Sequence, residues 1–178
     1  MAPQAAFSFY DWVLQTANDE QTGLRRLVDT TAGKPVTGEL TTNARAMLHW
    51  CRVVEQLTVD RHAPGAAVYA GFERTSRIRP VLKRYQRLSR AVDRLVIFGE
   101  LDAKVDLDAE LIDVTGCALA REWFLVVHAP NYAALLAARD LDGFSPTGPL
   151  ANRRFLAVKL TDRAFVELAL RRLEQQVG

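Results

Sequence analysis

The chain has 178 residues, 49% of them hydrophobic, 25% charged and 8% aromatic. A globular unit of this length buries roughly 70% of its unfolded surface, so the composition excludes a disordered or fibrous chain. Lysine and arginine number 23 against 21 aspartates and glutamates; the resulting charge of +2 excludes a global field that drives the chain onto nucleic acid or membrane.

Two widely separated cysteines, Cys51 and Cys117, make neither a disulfide framework nor a thiolate zinc site, and with no secretory leader in view a reducing compartment is expected. The opening Met1-Ala-Pro-Gln-Ala-Ala lacks the pattern of a secretory leader. The longest apolar runs, Trp123 to Ala129 and Tyr132 to Ala138, fall short of the roughly 20 residues a bilayer demands. The expectation is a single cytoplasmic domain without a membrane segment.

Apolar residues recur at helical spacing from Phe7 to Ala17 (Phe9, Trp12, Val13 and Ala17), with Ser8 placed to cap. A second short helix is predicted over Gln21 to Asp29, and Thr30 to Thr42, with Gly33, Pro35 and Gly38, reads as a loop. Asn43 to Leu57 reads as a helix with Ala44, Met47, Leu48, Cys51 and Val54 on one face. A second apolar row, Ala46, Trp50, Val53 and Leu57, predicts that this helix is covered on two sides.

Ala66 to Phe72 is a short apolar run of strand type. Pro80 suits a first helical turn, and Val81, Tyr85, Leu88 and Val92 share one face of a helix from Pro80 to Asp93. Strands are predicted over Leu95 to Glu100 and Glu110 to Thr115; with only a loop between them, they read as an antiparallel pair. Trp123 to Ala129 is apolar on both faces and is the expected central strand. Asn131 to Asp140, rich in alanine and leucine, reads as a short helix. The Gly- and Pro-dense stretch Asp142 to Pro149 is a loop, and Phe155 to Leu160 a strand. Thr161 or Asp162 caps a final helix to Val177 that aligns Val166, Leu170, Leu173 and Val177. The interleaving predicts an α/β domain, with α+β as the alternative: one mixed sheet of about five strands flanked by helices.

The search for chemistry yields little. His49, His62 and His128 share no metal-ligand spacing, and neither a nucleophile elbow, a P-loop nor a dinucleotide fingerprint is present. Cys51 reads as core, and Cys117 as a more exposed strand-end residue. The acids Glu100, Asp102, Asp106, Asp108 and Glu110 lack the mid-loop glycine of a calcium loop and read as a solvated hairpin loop. No catalytic residue, no metal site and no cofactor emerges, so the chain is expected not to be an enzyme. Arginines are dense between Arg74 and Arg94, and Lys83, Arg87, Arg90 and Arg94 form a predicted basic stripe opposite the core. Such a stripe suits an acidic partner or phosphates, or is simply the solvated face of an amphipathic helix. No helix-turn-helix accompanies it, so direct nucleic-acid binding is not expected.

Several segments together resemble the DICT sensory domain, a family named for its occurrence in diguanylate cyclases and two-component systems. They are Tyr69-Ala-Gly-Phe72, Arg79-Pro80 with Tyr85, Val96-Ile-Phe-Gly-Glu-Leu-Asp102, and Leu119-Ala-Arg-Glu-Trp-Phe-Leu-Val-Val127 followed by Pro130 and Tyr132. The resemblance covers about Thr41 to Leu160, with N-terminal helices over residues 5–31 and a C-terminal helix over 162–177 outside it. It implies a signal-input module that binds a small-molecule or environmental cue. No cyclase, kinase or transcription-regulator output is visible within the 178 residues, so relay to an output protein in trans, or origin as an excised sensor, is expected.

Ligand sites in α/β domains favour the carboxyl ends of strands and apolar cavities. On that ground Phe72, Phe98 and His128 near strand ends, Asp102 and Trp123 flanking strands, and Arg79 and Tyr85 on the neighbouring helix form a candidate ligand site. Each also has a plain reading as core or turn. The alternative is a ligand-free adaptor or homodimerisation module acting through the basic helix 80–94 and the C-terminal helix, whose stripe Phe165 and Leu168 widen.

Overall fold

The computed structural model describes residues 6–18, 40–61, 64–142 and 153–177. The predicted helix over 21–29, His62 and most of the loop 142–149 lie outside them. In chain order the elements are α1 (Phe9–Asn18), β1 (Leu40–Asn43), α2 (Ala44–Arg61), β2 (Ala67–Arg74), a 3-10 helix (Thr75–Val81), α3 (Leu82–Ala91), β3 (Arg94–Glu100), β4 (Glu110–Asp113), a second 3-10 helix (Ala118–Arg121), β5 (Glu122–Ala129), β6 (Tyr132–Asp140), β7 (Arg154–Leu160) and α4 (Arg163–Val177).

One seven-stranded mixed sheet, ordered β1-β7-β6-β5-β2-β3-β4, has β5 at its centre, as the two-sided apolarity of that strand predicts. Side chains alternate across the sheet. Tyr69, Phe98, Phe124, Val126, Leu135 and Val158 face α1 and α4, which supply Phe9, Val13, Phe165, Val166 and Leu173. Val68, Ala70, Ile97, Leu125, Leu136 and Ala157 face α2 and α3, which supply Met47, Cys51, Val54, Tyr85 and Leu88. A sheet covered on both faces needs apolar strands at every position, the pattern its central strands carry.

Ser8 and Asp162 cap as the sequence predicts, and Asn43, expected as the first residue of its helix, is a third cap. Ser8 Oγ accepts from Asp11 N–H at 3.0 Å, Asn43 Oδ1 from Ala46 N–H at 3.0 Å, and Asp162 Oδ1 from Phe165 N–H at 2.8 Å.

Four expectations are corrected. Residues 132–140 form β6, not a helix: the tight turn at Pro130-Asn131 folds them back on β5, with Ala129 opposite Tyr132. Helix propensity differs by only tenths of a kcal/mol among such residues, and pairing to both β5 and β7 with both faces buried overrides it. Leu40–Asn43 is an edge strand paired antiparallel to β7, where the sequence predicts a loop to Thr42 and a helix from Asn43, so with β6 the sheet has seven strands rather than about five. β3 and β4 are parallel. The intervening segment crosses back over the α3 face, where Val105, Leu107 and Ala109 pack against the core, so a return without a helix gives the parallel arrangement. Finally, α2 is covered on one side only: Val53 is 52% exposed and Leu48 38%.

Near the carboxyl end of β6, Asp142 Oδ2 accepts from Arg154 N–H at 2.7 Å and Asp142 Oδ1 pairs with Arg154 Nη2 at 2.7 Å. Arg153 meanwhile binds Asp140, and Leu141 N–H donates to Arg154 O at 3.0 Å. The chain on either side of 143–152 is thus held together.

Candidate functional site

β2 carries the local irregularity that shapes the site. Its register against β3 shifts between Gly71 and Arg74, a bulge that inserts one residue and re-aims Phe72 and Glu73. Gly99 on β3 makes this possible: a Cβ there would sit 2.5 Å from the Phe72 carbonyl oxygen. Beyond the bulge the chain enters the 3-10 helix, which contains Pro80; the proline therefore precedes α3 instead of occupying its first turn.

Between α2, the bulge, this 3-10 helix, α3 and the start of β5 lies a cavity of about 630 Å³. Its walls include Phe72, Val81, Tyr85 and Trp123. Phe72 and Tyr85 meet edge to face at 5.1 Å, and Trp123 stands at 88° to Phe155 at 5.7 Å. Its polar floor is one buried group: Glu55 accepts the Tyr85 hydroxyl at 2.7 Å and pairs with Arg84. Burial pushes the Glu55 carboxyl above its ordinary value, while Arg84 and Tyr85 pull it back. Burial likewise raises the Tyr85 phenol and the Cys51 thiol, so neither is an ionised nucleophile.

A second cavity, of about 870 Å³, opens at the same end of the sheet, lined by Ser8, Asp11, Arg74, Glu100, Glu122 and Asp140 among others. Glu73 borders both cavities. Arg153 binds Glu73 through Nη1 at 3.2 Å and Nη2 at 2.5 Å, and also Asp140, a nearly buried ionic triad between the two.

Of the seven predicted ligand residues, the structure brings together Phe72, Tyr85 and Trp123 on the α2/α3 side. Arg79 is exposed and outside the cavity lining, although its neighbours Arg77 and Pro80 belong to it. Phe98 points to the opposite face, packed 5.5 Å from Phe124 and 6.3 Å from Tyr69. Asp102 caps the 3-10 helix, accepting Ser76 N–H at 2.8 Å and Ser76 Oγ–H at 2.7 Å. His128 lies at the far end of the sheet, its Nε2 3.0 Å from Arg163 Nη1. β5 runs antiparallel to β2, so their carboxyl ends are at opposite edges.

The predicted basic stripe is shorter than expected. Lys83, Arg87 and Arg90 are exposed on α3, but Arg94 begins β3 and pairs with Glu110 at 2.9 Å and Glu174 at 3.4 Å. Residues not singled out beforehand line the mouth instead: Arg45, His49 and Arg52 on α2. Their offsets of four and seven are a readable helical signal, obscured by the two apolar rows of the same segment. No group of three or more His, Cys, Asp or Glu side chains among the described residues could hold a metal ion. No helix among them is long and apolar enough to cross a membrane.

Fold and cavity define a three-layer α/β domain with a pocket of small-molecule size at one end of its sheet. The family model for DICT, the sensory domain in diguanylate cyclases and two-component systems, matches residues 23–141, and the chain belongs to that family. The match begins earlier than the resemblance drawn from short segments and stops before β7. It includes every residue named above as lining the α2/α3 cavity except Arg153. No curated protein and no solved structure matches the chain.

Proposed function

We propose that this sensory domain binds a small molecule in the α2/α3 cavity and relays its occupancy to an output protein, a kinase, cyclase or transcription regulator, without catalysing a reaction. The observation that carries this reading is the convergence of Phe72, Tyr85 and Trp123 on one cavity of about 630 Å³ whose buried charged groups, Glu55 and Arg153, are already paired. Apolar walls with a few fixed polar groups are what small-molecule sites require. Two of the walls, Val81 and Tyr85, belong to or adjoin α3, so occupancy would bear on the helix that carries Lys83, Arg87 and Arg90 outward. The family supports a signal-input role, and a cytoplasmic location accords with it.

Native mass spectrometry of gently purified protein, with an absorbance spectrum, tests this. A stoichiometric added mass that disappears in Leu48→Trp, a substitution at the cavity rim, supports the reading. An added mass that survives that substitution puts the ligand elsewhere and overturns it.

A second reading is a ligand-free adaptor or homodimer. Lys83, Arg87 and Arg90 are exposed and enter no ion pair among the described residues, which favours an acidic partner on α3. The terminal helix supports it less, because Phe165 and Val166 are spent on its own sheet and Leu168, 43% exposed, is left outside.

A further inference from the structure

We infer that the ligand of the α2/α3 cavity is an organic anion: a flat, apolar body held between the aromatic walls, with one carboxylate, sulfonate or phosphate group at the mouth. The inference rests on the cavity being the ligand site.

Its basis is where charge is and is not neutralised. Five arginines line the cavity (Arg45, Arg52, Arg77, Arg84 and Arg153) against two glutamates, Glu55 and Glu73. Asp140, behind Arg153, supplies one more negative charge. The inner cations are engaged: Arg84 with Glu55, Arg153 with Glu73 and Asp140, and Arg77 with Glu73 at 3.9 Å. The outer two are not salt-bridged, although the Arg52 charge acts on Glu55. Arg45 and Arg52 take part in no ion pair among the described residues, although the chain as a whole is nearly neutral at +2.

The two stand seven residues apart on α2, with His49 between them at the fourth position and Leu48 and Cys51 beside them on the cavity side. Two turns of helix thus place both guanidiniums along one rim, about 10 Å apart along the axis at 1.5 Å per residue. Below the rim the wall changes from cationic to aromatic: Phe72, Tyr85 and Trp123. A guanidinium offers a carboxylate or phosphate a forked pair of donors, and does so most strongly beside a low-dielectric wall. A neutral apolar molecule would use the walls and leave the rim idle. A small inorganic anion would use the rim and leave the walls wet. One molecule with both features uses all of the lining.

Fluorescence titration of the full chain with two probes differing by one group tests this: 1-anilinonaphthalene-8-sulfonate, and its neutral counterpart N-phenyl-1-naphthylamine. A charge-assisted hydrogen bond contributes about 1.5–3 kcal/mol, so the anionic probe should bind about tenfold or more tightly than the neutral one, at one site. Arg45→Gln with Arg52→Gln should erase that difference and leave the neutral probe's affinity in place. The two exposed positions keep the fold intact, which an unchanged thermal midpoint verifies. Leu48→Trp should weaken both probes together. Equal affinity of the two probes in the unaltered chain, or indifference of the anionic probe to the double substitution, would overturn the anion inference while leaving a cavity that binds apolar ligands. Indifference of both probes to Leu48→Trp, or no binding of either, would overturn the inference together with the cavity reading.

Discussion

The hydroxyl of Tyr85 donates to the Glu55 carboxylate at 2.7 Å, with both residues 2% exposed. Arg84 approaches the other oxygen, so a phenol and a guanidinium together neutralise one buried charge. Tyr85→Phe removes a donor but keeps the ring against Phe72. It should cost about 1–3 kcal/mol in urea unfolding, the desolvation penalty of a partner lost. Glu55→Leu strands the mostly buried Arg84 and should cost more, about 3–5 kcal/mol. Reversal of that order would mean that Arg84 finds water when Glu55 is removed.

Glu122, at the start of β5, holds α1 in place. Its Oε2 accepts Phe9 N–H at 2.9 Å and Tyr10 N–H at 3.0 Å. Burial pushes its carboxyl from the ordinary 4.5 up to about 7, against the opposing pull of the Ser8 hydroxyl and those two N–H groups. A value higher in the folded than in the unfolded chain means that folding favours the protonated form. The stability it contributes is therefore complete below about pH 4.5 and is lost as pH rises through about 7. The loss should be on the order of 3 kcal/mol, read from urea midpoints across that window. Glu122→Gln keeps an acceptor for α1 and should flatten this part of the profile; an unchanged slope would assign it to another group.

Gly99→Ala should act at the cavity from the neighbouring strand. The added methyl meets the Phe72 carbonyl oxygen at 2.5 Å, a backbone atom that can yield only by moving the β2 bulge. Overpacking of this kind costs about 1–3 kcal/mol. Since Phe72 lines the cavity, probe binding should weaken along with thermal stability. Loss of stability with binding intact would show that the bulge is dispensable for the site.

Arg153→Met should be among the most damaging single changes, at about 3–5 kcal/mol by chemical denaturation, because it leaves Glu73 and Asp140 facing each other at low exposure. Adding Glu73→Gln and Asp140→Asn to that substitution should recover part of the loss. No recovery would mean that the packing of the arginine stem, 5.4 Å over the Phe155 ring, matters more than its charge.

What could be read from the residues divides by the range of the interactions involved. Ser8 and Asp162 announce their helices because a cap acts within three residues. The central place of β5 is legible because both its faces are apolar. β6 was not, since Tyr132 to Asp140 is apolar at nearly every position and gives periodicity nothing to discriminate. The parallel pairing of β4 depends on Val105 and Leu107 packing far from their sequence neighbours. The seven candidate ligand residues do not share one place, because neither the face a strand side chain takes, as at Phe98, nor the relative direction of two strands, as at His128, can be seen in sequence.

The latch formed by Asp140, Asp142, Arg153 and Arg154 has a use in protein engineering. Because it ties residues 140–142 to 153–154, foreign sequence placed between residues 142 and 153 would be fastened to the scaffold at both ends. Arg153 also borders the α2/α3 cavity. A circularly permuted fluorescent protein spliced directly before Arg153 would be joined to a residue of the cavity wall, and its emission would then report any change in the cavity.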